Sequence, residues 1–252
     1  MSDTMKIEEY LEQGGVLSSP ENAPARYRGE LMRMMSSFVD SELAASAGFA
    51  SSINYSPNIQ ARIAASRITL EKADHAQRVL EIMRSFGTDV ERYEQQHDWA
   101  ARLPRDSALP TARQGSDMRL SVFYFPLINW VDAVVMNVLQ GLAAEVQLES
   151  LSKVSYGPLA EVFRDIAPRE QRHAELGQEG LAVLVKAGQD TQQIKESLAY
   201  WRPRVAAGFG QQDSARYPML CRLGLRHDSN SDQLQRWETR VNDHLQALGL
   251  TA

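Results

Sequence analysis

The stretch Arg164–Gly177 reads RDIAPREQRHAELG, and at its centre Glu170 is followed three residues later by His173. On a helix, positions i and i+3 lie one above the other on the same face. One rigid element therefore aims a carboxylate oxygen and an imidazole nitrogen at the same point. Two such helices, each facing a helix that brings one more carboxylate, build the two-metal site of ferritin-like bundles. A single ExxH pair is weak evidence, because Glu and His are common on helix surfaces. What decides is whether the rest of the chain supplies the remaining parts.

Working outward, the helical period extends on both sides of this motif. A helix is expected from about Leu159 to Ala187, closed by Gly188, with Pro168 inside it and a local kink there. The turn Ser155-Tyr156-Gly157-Pro158 precedes it. Before that turn, a helix beginning at Ser121 or Asn129 runs to Ser152 and opens with Phe123, Tyr124, Phe125 and Trp130. The N-terminal half repeats the plan. Leu31, Met34, Met35, Phe38, Glu42 and Ala45 recur at spacings of three and four, giving a helix over about 23–52. Asn54–Asn58 is a turn, and a second helix covers about 59–86, ended by Gly87-Thr88. A short helix is expected within 89–99. Residues 103–116, with two prolines and a glycine, form a connection of the length a bundle crossover needs. Beyond the motif lie a helix at about 191–206 and a last amphipathic one at 231–249 with Ser231 as its N-cap. No segment alternates convincingly as a strand. The expectation is an all-α, ferritin-like four-helix bundle: two helical hairpins, a long crossover and C-terminal helices. Residues 1–22 are a loose lead-in, and 23–252 form one domain.

Composition narrows the partners. The formal net charge is −5, which speaks against nucleic acid, whose binders carry a basic patch. There is one cysteine, Cys221, so neither a disulfide framework nor a cysteine zinc site forms within one chain. Met1–Tyr10 is polar and lacks the apolar run of a signal peptide. The longest apolar stretches are broken by Asn, Asp or Gln, and none spans a bilayer. A cytoplasmic protein without a membrane partner is expected.

Levels within each hairpin select further candidates, since residues equally far from a tight turn face each other. The midpoint of Glu170 and His173 mirrors across Gly157 to residues 142–143. Glu145 lies about 4 Å from that level and Asp132 about 16 Å, at ~1.5 Å rise per residue; Glu145 is the third-helix candidate. In the first hairpin His75 and Glu42 lie within a turn of level across Pro57. Glu42 stands among Phe38, Leu43, Ala45 and Phe49, so it faces inward. There a carboxylate is costly unless it is paired or metal-bound, and the bland alternative is a pair with an arginine. Three residues before His75 stands Lys72, not Glu, and a protonated lysine repels a metal. Three readings stay open. Glu71, four residues before His75 and also on its face, replaces the missing carboxylate; Lys72 fills the hole and pairs with Glu42 and Glu170; or Lys72 points to solvent. Arg164, Arg169 and Arg172 either meet ligand phosphates or form a solvated face with Glu161 and Glu175. His97, His227 and His244 stand in polar runs and are expected at the surface.

With Glu42, His75, Asn129–Asp132, the Ser155–Pro158 turn and Glu170–His173 in place, the chain resembles the phenylacetic acid catabolic family. The likeness runs from about Met32 to the C-terminus and is clearest over 125–184. The Ser-Tyr-Gly-Pro turn followed by ExxH at this distance is its most specific part. The resemblance implies a non-haem di-iron oxygenase subunit of the phenylacetyl-CoA epoxidase type. Proteins of that kind activate O2 and oxygenate an aromatic ring held as a CoA thioester, with a reductase and related helical subunits as partners in a homo- or hetero-oligomer. The resemblance places Glu42, His75, Glu170 and His173 on iron-ligand positions and Lys72 where the active subunit has a ligating Glu. The family also contains a metal-free scaffold subunit, and this chain is intermediate, with an intact second half and an altered first half. A third reading is an iron-binding bundle without oxygenase activity.

Overall fold

The computed structural model describes residues 7–110, 115–188 and 191–250. Every regular element in them is helical, and an isolated bridge joins Leu17 to Tyr156. In chain order the α-helices are α1 (Ile7–Glu12), α2 (Ala25–Ser52), α3 (Ile59–Ser85), α4 (Val90–Glu94), α5 (Trp130–Leu151), α6 (Gly157–Lys186), α7 (Thr191–Ala206), α8 (Tyr217–Arg222) and α9 (Asn230–Ala247). This is the expected all-α, ferritin-like arrangement.

Local chemistry sets the boundaries. The Asn58 side chain accepts the Ala61 amide at the start of α3, and Asn129 accepts that of Asp132 at the start of α5, satisfying amides that a first turn leaves without partners. Gly87 and Gly188 take φ of 91° and 63° just past α3 and α6, a left-handed conformation that glycine enters without strain. α6 begins with Gly157-Pro158 and runs through Pro168 without interruption.

Two expectations need correction, the loose lead-in and the cap of the last helix. Within the lead-in, Ile7–Glu12 is helical, and the Leu17 backbone is stitched to Ser155 and Gly157 at 2.7 and 2.8 Å. The Gly14-Gly15 pair hid this, because it marks a turn inside the segment rather than its looseness. Of the two expected starts of the third long helix, Asn129 holds: it caps a helix beginning at Trp130, and Ser121–Tyr124 is a separate 3-10 turn. α9 is capped by Ser229, not Ser231, through a capping box with Asp232. The short helix α8 had no periodic signal over its six residues. Residues 111–114 of the expected connection lie outside the described residues.

Two apolar clusters fill the bundle. One holds Ala44, Ile68, Leu139 and Leu181; the other holds Val39, Ala76, Leu80 and Ile166. α2 and α6 run from the second cluster to the first, and α3 and α5 run back. α3 and α5 are therefore parallel, and the chain between them must return the length of a 27-residue helix, about 40 Å at ~1.5 Å per residue. The return strap is fastened to α2. Asp40 accepts the Met118 amide and the Tyr93 hydroxyl, each at 2.7 Å, and Ser41 accepts the Leu120 amide at 2.9 Å. Arg102 donates to the Ala44 carbonyl at 2.7 Å. At the far end Arg105 pairs with Asp132 on α5 and lies 3.7 Å from the Tyr200 ring centre of α7.

α5 is long and apolar enough to cross a membrane, yet 83% of its apolar window is buried within the structure. It is the core helix, wrapped by α6, α7 and α9. It meets α6 so closely at Gly141 that a Cβ there would lie 2.8 Å from the Ala174 Cα, whereas a Cβ at Gly29 on α2 meets nothing within 4 Å. One substitution should therefore act in opposite directions. Gly29→Ala is expected to stabilise by about 0.5–1 kcal/mol through helix propensity, and Gly141→Ala to destabilise by about 1–3 kcal/mol through overpacking, measured by urea unfolding.

Candidate functional site

Between the two apolar clusters, α2, α3 and α6 each present polar side chains toward the bundle axis. α2 passes from buried Val39 to Glu42 to buried Ala44; α6 passes from Ile166 to Glu170 and His173 and on to Leu181. The helical repeat leaves no choice: with apolar residues before and after on the same face, these groups are carried into the interior. Glu42, Lys72, His75, Glu170 and His173 are all buried.

The centre of this layer is the Lys72 ammonium. It donates to Glu170 at 2.9 and 3.0 Å and to Glu42 at 3.1 and 3.4 Å. His75 Nδ1 lies 2.9 Å from Glu170 Oε1 and 3.2 Å from Glu42 Oε2. Glu42, His75 and Glu170 thus bring one ligand-type atom each within 4.8 Å of the others, the one such trio among the described residues. His173 turns Nε2 to Glu71 at 2.7 Å, while its Nδ1 lies 3.3 Å from Glu170 Oε1 and makes no hydrogen bond. The two imidazole rings are 5.8 Å apart.

The candidates sort themselves. Glu42, Glu71, Lys72, His75, Glu170 and His173 are brought into one connected network. Glu71 sits on its outer side, where it fixes the His173 ring as carboxylates do behind ligating histidines. Lys72 points inward, so the solvent-facing reading is corrected. Glu145 is not brought in: Arg240 of α9 holds its carboxylate at 3.2 Å. The α5 side chain that reaches the Glu42–Glu170 region is Gln140, which lines a cleft with both, and neighbouring Gly141 has room for no side chain. The level argument placed the height correctly. It failed on direction, because α9, whose arginine claims Glu145, has no place in a two-hairpin calculation. Gln140 stands near that height in the chain, but an amide carries no carboxylate signal.

Of the remaining groups, Asp132 is bound by Arg105 and Ser197. Arg169 pairs with Asp74 and Arg172 with Glu175 and Glu179, so these arginines form the solvated face rather than an anion site. His97 contacts Ser116 and His227 the Lys153 carbonyl. His244 is half-buried, and burial pushes its pKa down, a correction to the surface reading.

The charges within the layer support one another. Burial by itself would lift the Glu170 pKa, but the Lys72 ammonium, with His173 and His75, holds it well below the usual carboxylate range. Burial would depress the Lys72 pKa, and the two glutamates raise it instead. Burial would likewise depress His75, and its hydrogen bonds with Glu170 and Glu42 raise it. Lys72 is therefore a firm cation, and a metal would have to displace it from its contacts with both carboxylates. The donor set suits one cation, and that place is taken by an ammonium. A pair of metal ions does not fit it: α5 contributes no carboxylate, and two divalent charges would stand beside Lys72 with little negative charge left to offset them.

The pH dependence follows from the signs. Glu170, with a lowered folded pKa, contributes stability in full above its unfolded value near ~4.3, and this is lost as pH falls through the folded value. His75, with a raised folded pKa, contributes in full below ~6.5, and this is lost as pH rises through the folded value. The cluster is most stabilising between these limits. Lys72→Met, which strands two buried carboxylates, is expected to destabilise by about 3–5 kcal/mol at neutral pH. The deficit should shrink toward pH 5 as a glutamate takes up a proton. Urea unfolding across pH checks this, and a deficit that grows on acidification would contradict it.

With this geometry established, likeness to known proteins identifies the family. The sequence matches a relative from Escherichia coli (strain K12), one of the subunits of 1,2-phenylacetyl-CoA epoxidase, at 20% identity over 255 residues, covering 100% of this chain and 77% of that one. The profile of the family described as phenylacetic acid catabolic protein matches residues 5–252. The chain is a member of the phenylacetic acid catabolic protein family.

Proposed function

We propose that this protein is a helical subunit of a cytoplasmic, multi-subunit oxygenase assembly of the phenylacetyl-CoA epoxidase type, and that its own bundle is a metal-free scaffold in which Lys72 takes the place of the cation. The observation that carries this reading is the position of Lys72 Nζ, 3.1 Å from Glu42 and 2.9 Å from Glu170. A buried carboxylate pair needs a counter-charge, and an internal ammonium supplies one without metal uptake. A scaffold also needs a surface for its partners. Ile59, Ile63 and Leu70 stand 50–71% exposed along α3 at spacings of four and seven, which is one helix face. A stripe of that kind marks an interaction surface.

A second reading has its own observation. A cleft of about 250 Å³ enters between α2 and α5 and reaches Glu42 and Glu170, as an oxygenase acting on a small or CoA-linked substrate requires. In that reading Lys72 would have to withdraw, and Glu42, His75, Glu170 and His173 would hold iron, which would supply the oxygen-activating chemistry, with a reductase as partner. The residues of this chain would then keep water out through Phe38 and Phe123 and hold the His173 ring through Glu71.

Metal content after anaerobic loading with ferrous iron and desalting separates the two. Well below one iron per native chain is expected, with uptake gained in Lys72→Glu. Two irons per native chain would overturn the scaffold reading and establish the second.

A further inference from the structure

The cleft between α2 and α5 also carries a buried hydrogen-bond donor with no acceptor, at a point away from the lysine cluster. Gln233 of α9 lines it and is 1% exposed. Its Oε1 accepts from Arg226 Nη1 at 3.4 Å, while its Nε2 is buried with no partner. Rotating the amide would set its NH2 against a guanidinium donor, so this orientation is the favourable one. Arg226 lines the same cleft and makes no ion pair among the described residues. The nearby carboxylate of Asp228 is taken by Arg236 at 2.9 Å. Burial pushes the Arg226 pKa down, against smaller opposing effects of Cys221, Tyr217 and Asp228. At the exposed rim Arg33 is another arginine without an ion pair among the described residues.

The rest of the cleft is suited to an apolar body. Met34 and Phe38 of α2, Leu148 and Leu151 of α5, and Leu220 of α8 form its walls. Its volume of about 250 Å³ equals roughly eight water molecules at ~30 Å³ each, the scale of a one-ring organic acid. Arg33 precedes Glu42 by nine residues on α2, about 13 Å at ~1.5 Å per residue. An anion held at the arginine end is therefore well separated from Glu42 and Glu170, and Glu30, which also lines the cleft, is paired with Arg216.

We propose that this cleft binds an organic oxyanion, a carboxylate or a phosphate ester, with its head on Arg226 and Gln233 and its apolar body along Phe38 and Leu148. A half-buried guanidinium with no ion pair among the described residues and a buried amide NH2 with no acceptor, joined through Gln233 Oε1 and lining one cleft, define an anion site, because burying an amide donor unpaired is costly, and charge-assisted bonds to an oxyanion are the strongest remedy. The inference goes beyond the family function and does not depend on whether the lysine cluster takes up metal.

Calorimetric titration of the full chain with 4-phenylbutyrate, phenyl phosphate and the neutral 4-phenylbutyramide tests it. At least one anion is expected to saturate a single site, with the amide tenfold or more weaker; the preferred anion tells a carboxylic acid from a phosphate ester. Arg226→Met and Gln233→Glu should each weaken anion binding tenfold or more. The exposed Arg33→Ala, which leaves the interior untouched, should weaken it a few-fold and keep the protein folded. Equal binding of anion and amide, no anion binding at 10 mM, or an anion affinity unchanged in Arg33→Ala and Arg226→Met would overturn the proposal. Iron loading of Lys72→Glu is read separately, so failure of the anion site and failure of the scaffold reading are distinguishable.

Discussion

The structure depends on one buried ammonium held between two buried carboxylates. Glu42 on α2, Lys72 on α3 and Glu170 on α6 come from three helices and meet at the bundle axis. None of the three charges is tolerable there alone, since an unpaired ion in the interior loses several kcal/mol of hydration. Their pairing fixes the relative height of the three helices. A shift of one helix by a turn would put an apolar residue against a charge in each case. The apolar clusters above and below supply most of the stabilisation through burial, but they are far less particular about register than an ion triplet with hydrogen-bond geometry.

The same arrangement explains why there is a cleft. The two hairpins pack on each other through α3 and α6, while α2 and α5 barely touch. The crossover strap, with Leu120 and Phe123, and the C-terminal elements, with Leu220 and Gln233, stand between them instead. Because the strap is bonded to α2 through Asp40, Ser41 and the Ala44 carbonyl, the wall that closes one side of the cleft is held by the residues that flank Glu42. Substrate-sized space, the ion cluster and the return connection are thus one mechanical unit. The C-terminal helices, which a bundle does not need for its own core, bring the arginines and the buried glutamine to the cleft.

A carboxylate at position 72 and another on α5 would leave the centre strongly negative and in need of metal. The ammonium of Lys72 supplies positive charge there, and Gln140 and Gly141 add no negative charge. His75 lies against both carboxylates and His173 on Glu71. The site keeps the geometry of a cation-binding centre with its charge already balanced.

Much of this could be read in the chain. Periods of three and four with their glycine and asparagine ends gave the four long helices nearly to the residue, since those signals are local and depend on the backbone of a few neighbours. The ExxH pair and the inward faces of Glu42 and His75 were equally legible, because helical geometry alone puts them on one side. Other features were not. Whether Lys72 points inward or outward is a rotation of about one helix position, and only the pull of two carboxylates from other helices decides it. Glu145 had the right height and the wrong neighbour, because Arg240 lies 95 residues away in sequence. The stitching of Leu17 to the α5–α6 turn and the meeting of Arg226 with Gln233 are likewise contacts between segments that carry no local signal. The sequence by itself determined the elements, their apolar faces and the kinds of charge that must be buried. Tertiary packing decided which charges meet, because pairing across helices depends on distances that no single helix encodes.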